Sequence, residues 1–291
     1  MRKIGLLGPE GTFCEVALNK YLNHVNLKEI DINFYQTISK VSNHINDNDL
    51  TILPLENSLD GYVQETLDGL LYNGKLITCD LVIPINFAFV SFEKEISNVK
   101  KIYVQFKAYG QCLDFINNND FSVYKCENNV ESLESLLKDK ESCGAIVPMH
   151  LVDDRFNDGL VIKNVSDKVN NYTRFIVLDS VPLLENEEGK CSMMLCAKSD
   201  KPGILSNALK TFQVYDINLT CIMSRPTKNE LGTYHFYVEF DNATKAKIIN
   251  VKENLEKLLP KYMVPKIIEK IEEIPINKNG KIDRKKLGDL W

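Results

Sequence analysis

The chain has 291 residues, 44% of them hydrophobic and 26% charged, with 35 Lys and Arg against 40 Asp and Glu for a formal net charge of -5. That length and apolar content suit about two globular domains with ordinary cores and exclude disordered, collagen-like and low-complexity classes. No apolar run approaches the ~20 residues of a membrane helix; the nearest, Leu81 to Phe92, is interrupted by Asn86.

The N-terminal stretch MRKIGLLG has two charges and then only a short apolar run, too short for a secretory signal, and predicts a buried first strand. The eight cysteines (14, 79, 112, 126, 143, 191, 196 and 221) form no CxxC pair and have no histidine at ligand spacing. Neither a zinc site nor a disulfide framework is expected, and reduced thiols in a cytoplasmic protein fit the pattern.

After the strand at Ile4–Leu7, the turn GPEGT leads into Phe13, Val16, Ala17 and Tyr21 at helical spacing. Thr12 and Glu15 stand as a capping box, so the helix is expected to start at Thr12. Thr51–Leu55 predicts a strand running through Glu56-Asn57-Ser58 directly into a helix with Val63, Leu67, Leu70 and Leu71. The stretch Leu81–Ser91, Ile102–Val104 before a helix through Leu113 and Ile116, Ala145–Val147 and Thr173–Leu178 continue an alternating α/β pattern with a largely parallel sheet or two. An acidic linker, Leu183–Lys190, follows. Beyond it, Met193–Ala197, a helix opened by Pro202-Gly203, strands at Asn218–Met223 and Tyr234–Phe240, and a helix from Ala243 to about Leu258 give a β-α-β-β-α order, one strand short of a ferredoxin-like unit. From Lys245 to Trp291, 12 basic residues stand against 7 acidic ones, whereas the rest of the chain has 23 against 33. No aromatics interleave with these lysines, which disfavours nucleic acid as a partner.

Three polar clusters sit at strand ends. In Gly8-Pro9-Glu10-Gly11-Thr12, glycines allow close backbone approach and the following helix start offers free N–H groups to an anion, although a tight turn would look the same. In Pro54-Leu55-Glu56-Asn57-Ser58, a carboxylate beside an amide can orient a hydroxyl and a carbonyl, or simply cap a helix. In Asn171-Tyr172-Thr173-Arg174-Phe175, an arginine that can grip a carboxylate stands beside a hydroxyl.

In this order, GPEGTF, LPLENSLDGYVQETLDGL and NYTRFIVL resemble the signature of the prephenate dehydratase family over about residues 1–180. DKPGILSNALKTFQVYDINLTCIMSRP is similar to the phenylalanine-binding ACT domain that follows this catalytic domain in many members. The resemblance implies an α/β, two-lobed, periplasmic-binding-protein-like catalytic domain over 1–181. Its lobes would be about 1–76 plus 173–181, and 77–165, with the site in the cleft between them. A ferredoxin-like (βαββαβ) ACT regulatory domain would span 190–258.

The implied reaction removes the ring carboxylate and ring hydroxyl of prephenate to give phenylpyruvate, with no metal and no organic cofactor. Carried over from the motifs, Thr173 would hydrogen-bond the departing hydroxyl, and Glu56, Asn57 and Gln111 would be its catalytic companions. Thr12, Ser58, Arg174 and Phe175 would bind substrate, with Arg174 either gripping a carboxylate or bracing the loop.

One loop departs from the family. Where S-H-P-Q-A-L-x-Q-C is usual, this chain reads Val104-Gln105-Phe106-Lys107-Ala108-Tyr109-Gly110-Gln111-Cys112. Gln111-Cys112 match, but the Ser and His that would face the cleft do not. Lys107 is then either a replacement cation for an acidic ligand or part of a neutrally drifted loop. That change keeps a non-aromatising prephenate decarboxylase open as an alternative, beside arogenate dehydratase and, in a different class, a non-catalytic amino-acid sensor or synthetase-associated protein.

In the ACT-like region, Gly203-Ile204-Leu205 approximate the effector loop and Ser224-Arg225-Pro226 match its ESRP, with Met223 in place of Glu; phenylalanine is the implied effector. From Leu259 the chain closely resembles the C-terminal end of nonribosomal peptide synthetase adenylation domains, LPKYMVP followed by IPINKNGKIDRKKL, with Lys281 at the motif lysine. No adenylating core precedes it, so no adenylation is expected. The 259–291 tail is then a fusion remnant, the missing last strand, or a handle for a synthetase or carrier protein. A homodimer or homotetramer is implied by the family.

Overall fold

The computed structural model describes residues 1–25, 27, 29–71, 75–180, 190–196, 202–228, 230–241 and 244–258. The expectations for the 183–190 linker, for all but Lys190, and for the 259–291 tail therefore lie outside the described residues. The chain divides into two compact units, Met1–Glu185 and Asn186–Trp291.

In the first unit, β1 (Arg2–Leu7), α1 (Phe13–Leu22), β2 (Ile30–Tyr35), α2 (Ile38–Asn43), β3 (Leu50–Asn57), the short β4 (Gly61–Tyr62), α3 (Gln64–Gly69) and β5 (Leu76–Pro84) come first. After the crossing at Ile85-Asn86 follow β6 (Phe87–Ser91), β7 (Lys101–Gln105), α4 (Phe106–Gln111), α5 (Leu113–Asn117), β8 (Ser122–Cys126), α6 (Asn129–Lys138), β9 (Cys143–Pro148) and β10 (Leu160–Lys163). The chain then returns as β11 (Tyr172–Asp179). One sheet has the order β2-β1-β3-β11-β5, with β4 on β3, and the other β10-β6-β9-β7-β8.

Both sheets are mixed rather than largely parallel. β1 runs parallel to β2 and β3, and β7 to β8 and β9, but β11 lies antiparallel between β3 and β5, and β6 is antiparallel to β9 and β10. The reason is the double crossing: the strand by which the chain enters each lobe from the other, β6 in one and β11 in the other, runs against the βαβ strands. The lobe boundary moves accordingly. Residues 76–84 pair with β11 in the first sheet, so the expected division at 76/77 falls instead at Ile85-Asn86, where one apolar stretch splits into two strands in different sheets.

Cys14, Ala17, Leu18 and Tyr21 lie at helical spacing on the buried face of α1 and join a core with Ile4, Leu6, Ile52, Leu81, Phe175 and Val177. Each fully buried large apolar side chain contributes roughly 1.5–3 kcal/mol of transfer free energy. This anchors the start of α1 and the adjoining ends of β3 and β11.

In the second unit, β12 (Cys191–Cys196), α7 (Ile204–Val214), β13 (Leu219–Pro226), β14 (Tyr234–Phe240) and α8 (Lys245–Leu258) form an antiparallel sheet of order β12-β14-β13 with two helices. Its core combines Met193, Leu195, Ala208, Phe212, Val238, Phe240, Val251 and Leu255.

Candidate active site

The pairing of β3 with β11 holds the first element of the site. Thr173 stands opposite Asn57 and Arg174 opposite Glu56, but Phe175 stands opposite Pro54, leaving Leu55 as an extra residue. Because side chains alternate, this bulge reverses the faces presented by the end of β3. Asn57 joins Thr173 on the face covered by α1, and Glu56 joins Arg174 on the other. Contrary to the expectation, β3 does not run straight into a helix. It turns through Ser58–Asp60 into β4, with Gly61 at φ +76°, a conformation that favours glycine.

Asn57 Nδ2 donates to Thr173 Oγ1 at 3.0 Å, to Asn171 Oδ1 at 2.8 Å and to the Tyr172 carbonyl at 3.2 Å. Its Oδ1 accepts from the backbone N–H groups of Leu59 (2.9 Å) and Asp60 (3.0 Å), which fixes the amide's orientation. From the other lobe, Gln111 Oε1 accepts from Asn171 Nδ2 at 2.9 Å and Gln111 Nε2 donates to Asp60 Oδ2 at 3.3 Å. The Gln111 backbone is held in turn: its carbonyl accepts from Asp167 N at 2.8 Å, and the Asp167 carboxylate accepts from the N–H groups of Leu113 and Asp114 at the start of α5. Thus Thr173, Asn57 and Gln111, expected as companions, meet in one network across the lobe seam.

Glu56 and Arg174 meet each other on the opposite face. Arg174 Nη2 lies 3.0 Å from Glu56 Oε2 and donates to Tyr62 Oη at 3.1 Å, and the Arg174 side chain is 11% exposed. This is the bracing geometry of the two considered for Arg174, and it places Glu56 away from the Thr173 hydroxyl. Ser58 is similarly committed to the loop, donating to the Asn170 carbonyl at 3.0 Å and accepting from Tyr172 N at 2.9 Å. Phe175 is a correction: at 2% exposure it belongs to the core under α1, one step deeper than Thr173 on the same strand face, and cannot line a substrate site.

Thr12 is the N-cap of α1, as expected, but the capping box does not close. Its hydroxyl donates to the Leu7 carbonyl at 3.0 Å, and Glu15 accepts from Gly11 N at 2.6 Å instead of from Thr12. The loop reaches the other lobe at Gly11, whose carbonyl lies 2.8 Å from His150 Nε2. The His150 ring packs edge-on against Phe13 with centroids 5.0 Å apart, and burial of the ring pushes its pKa below the usual histidine value. A cavity of about 310 Å³ opens beside this contact, between Phe13 and Val16 of α1, Pro84 and Asn86 at the crossing, and His150. Cys14 is buried, and burial pushes its thiol up to about 12, so it is no nucleophile at neutral pH.

The variant loop is resolved into parts. Val104 is fully buried in the core, and the Gln105 side chain caps α4 by accepting from the N–H groups of Lys107 (2.8 Å) and Ala108 (3.2 Å). Neither position presents the side chain to the cleft that a Ser-His pair implied. Lys107 is exposed, has no side-chain partner among the described residues, and stands four residues before Gln111, on the same face of α4.

In the second unit, Gly203 is the N-cap of α7 at φ +87°, a left-handed conformation suited to glycine, and Ile204 packs on the unit's core beside the half-buried Leu205. Alternation along β13 puts Ser224, opposite Phe236, and Arg225, opposite His235, on different sheet faces, with Pro226 ending the strand. Among the described residues no group of three or more His, Cys, Asp or Glu could hold a metal ion, and no helix is long and apolar enough to cross a membrane.

Asn171, Asp60, Tyr62, Asp167 and His150 were not picked out individually from the sequence. Asn171 had a signal, a polar residue at the head of an apolar strand, and Asp60-Gly61 is a turn dipeptide. The other three are recognisable only through contacts far along the chain.

A two-lobed α/β unit whose lobes meet around a hydroxyl, three side-chain amides and a carboxylate is the architecture of a small-molecule site at a lobe seam. Residues 4–182 match the family described as Prephenate dehydratase. The prephenate dehydratase of Methanocaldococcus jannaschii is 32% identical over 266 residues, covering 88% of this chain and 96% of that protein. The crystal structure of the Staphylococcus aureus prephenate dehydratase is similar at 27% identity and TM-score 0.70, covering 88% of this chain and 96% of that one. The Arthrobacter aurescens enzyme in complex with L-Phe has the same fold, with 24% identity and TM-score 0.74 over 88% and 86% of the two chains. The chain belongs to the prephenate dehydratase family, a family of lyases.

Proposed function

We propose that the first unit converts prephenate to phenylpyruvate with Thr173 as the hydrogen-bond donor to the leaving hydroxyl. The carrying observation is that Thr173 Oγ1 accepts from Asn57, its one hydrogen-bond partner among the described residues, which leaves its own hydrogen to donate outward. In the reaction the ring-carboxylate carbon–carbon bond breaks and its electron pair moves into the ring, carbon dioxide departs, and the carbon–oxygen bond to the ring hydroxyl breaks. The departing hydroxide leaves as water, so one proton is consumed. Aromatisation supplies the drive, and the protein's task is to hold both leaving groups and stabilise charge building on the hydroxyl oxygen. Thr173 meets that oxygen, Asn57 and Gln111 hold it in place, and the free N–H groups at the start of α1 and the exposed Lys107 ammonium suit the substrate carboxylates. Glu56 and Arg174 act indirectly, by bracing the strand that carries Thr173.

We also assign the second unit an ACT-type role in sensing phenylalanine. Its βαββα order and the L-Phe named in the Arthrobacter complex support this, with Gly203 and the start of α7 as the carboxylate-facing end. The 259–291 segment has no part in the catalytic assignment.

The test is incubation of purified protein with prephenate, reading phenylpyruvate by its absorbance in alkali. The expected result is turnover that Thr173→Ala abolishes and phenylalanine modulates. Loss of carbon dioxide without phenylpyruvate would identify a non-aromatising decarboxylase. No turnover alongside tight phenylalanine binding would overturn the enzyme reading in favour of a sensor.

A further inference from the structure

Asn171 is 1% exposed and uses both ends of its amide. Oδ1 accepts from Asn57 Nδ2 at 2.8 Å, and Nδ2 donates to Gln111 Oε1 at 2.9 Å. Its backbone carbonyl accepts from Ile85 N at 2.8 Å, at the crossing between lobes. The residue is therefore a buried joint between Gln111 of one lobe and the Asn57–Thr173 pair of the other.

The direction of this chain of amides is fixed at both ends. At one end, the Asp60 carboxylate oxygen accepts, so Gln111 presents its NH₂ there and its carbonyl to Asn171. Asn171 must then present NH₂ to Gln111 and its carbonyl to Asn57. At the other end, two backbone N–H groups hold the Asn57 carbonyl, so its NH₂ faces Asn171 and Thr173. Every donor meets an acceptor in one orientation only, and reversing any amide would set donor against donor or carbonyl against carbonyl.

Resting on the dehydratase reading above, we propose that Asn171 is a positioning residue that couples the approach of Gln111's lobe to the orientation of the Thr173 hydroxyl. With Gln111 seated on Asn171, the Asn57 amide is held and Thr173 has only its hydrogen to offer the substrate. When Gln111 withdraws, Asn171 loses the acceptor that sets its own amide, and the Asn57 NH₂ group, still held at its oxygen end by Leu59 and Asp60, loses the Asn171 Oδ1 that steers its hydrogens between Asn171 and Thr173. Asn171 touches neither substrate nor reacting atoms; it acts through Asn57.

The experiment is steady-state kinetics on full-length Asn171→Ala, Gln111→Ala and the double variant, with thermal melts alongside. Asn171→Ala is expected to lower kcat about 10-fold to 100-fold, the scale of a small misplacement of a reacting group, with KM within about threefold of wild type. The double variant is expected to fall little below Gln111→Ala alone, because the two act as one unit. Should Asn171→Ala fail to fold, the isosteric Asn171→Asp supplies the reading: it still accepts from Asn57 but has nothing to donate to Gln111, and kcat is expected to fall several-fold. Wild-type kcat in these single variants, or fully multiplicative losses in the double variant, would overturn the inference while leaving the dehydratase reading intact. Absence of turnover by the wild-type chain would overturn that reading, and this inference with it.

Discussion

Asn57 and Thr173 are 116 residues apart in sequence, yet the amide of one donates to the hydroxyl of the other at 3.0 Å, immediately beyond the Leu55 bulge. The bond depends on the nitrogen end of Asn57, while the oxygen end caps the Leu59 and Asp60 N–H groups. Asn57→Asp keeps the cap and removes the donor. Thr173 would then turn its hydrogen toward the new carboxylate, and the substrate would be left without that donor. We expect kcat to drop about 10²–10³-fold, the loss typical of one misdirected stabilising donor, and the melting temperature to fall as well, because the new carboxylate oxygen faces the Asn171 Oδ1 and Tyr172 carbonyl that the NH₂ group had satisfied. A kcat within threefold of wild type would contradict the assigned direction of the bond.

The Glu56–Arg174 pair should show the opposite balance. The guanidinium is largely buried, whereas the carboxylate is 38% exposed, so solvent screens part of the attraction. Glu56→Gln retains an acceptor for Arg174 and is expected to cost about 1 kcal/mol of stability. Arg174→Ala removes the bonds to Glu56 and Tyr62 together and should cost roughly 2–3 kcal/mol. Denaturant unfolding measures both, and each variant's kcat should fall less than that of Thr173→Ala.

Much of this arrangement was legible in the sequence. The three motifs mark strand ends, and short apolar runs followed by polar, glycine-bearing turns are local signals. The division of labour among neighbours was not legible. Leu53 and Leu55 look like ordinary alternation, and only the pairing with β11 reveals that Leu55 is extra, which separates Glu56 from Thr173 and brings Asn57 to it. Phe175 likewise looks like part of the same motif until its strand face is known. The Thr12–Glu15 spacing gives the helix start correctly, yet the side chains find other partners, because Leu7 and Gly11 are brought within reach by the loop's own curvature.

Gly11 holds φ +86°, and a Cβ there would stand 3.2 Å from Leu151 and 3.3 Å from Val130, both in the other lobe. Gly11→Ala thus meets backbone strain of about 1–2 kcal/mol and a tight contact across the seam. We expect a lower melting temperature together with weakened substrate binding, since the same carbonyl meets His150. Gly232→Ala is the control: in the β13–β14 turn of the second unit it has a similar φ of +84° with open space around it, so it should lose stability without the cross-seam effect. Equal KM changes in the two variants would argue against a seam-specific role for Gly11.

His150 gives the seam a pH dependence whose sign can be worked out. Ring burial is the largest influence on it and lowers its native pKa, opposed by the hydrogen bond to the Gly11 carbonyl and by the charge of Glu15. The unfolded chain, with an ordinary value near ~6.5, takes up its proton at higher pH than the native protein does. The stabilisation from neutral His150 is therefore complete above about pH 6.5 and is lost as the pH falls through the lower native value. His150→Gln keeps a donor for the Gly11 carbonyl but does not titrate. The melting-temperature advantage of wild type over this variant should shrink between about pH 7.5 and 5. His235, also lowered by burial, is common to both proteins and cancels in the difference. A difference that stays flat across that range would show that His150 is not held neutral by its place between Phe13 and Gly11.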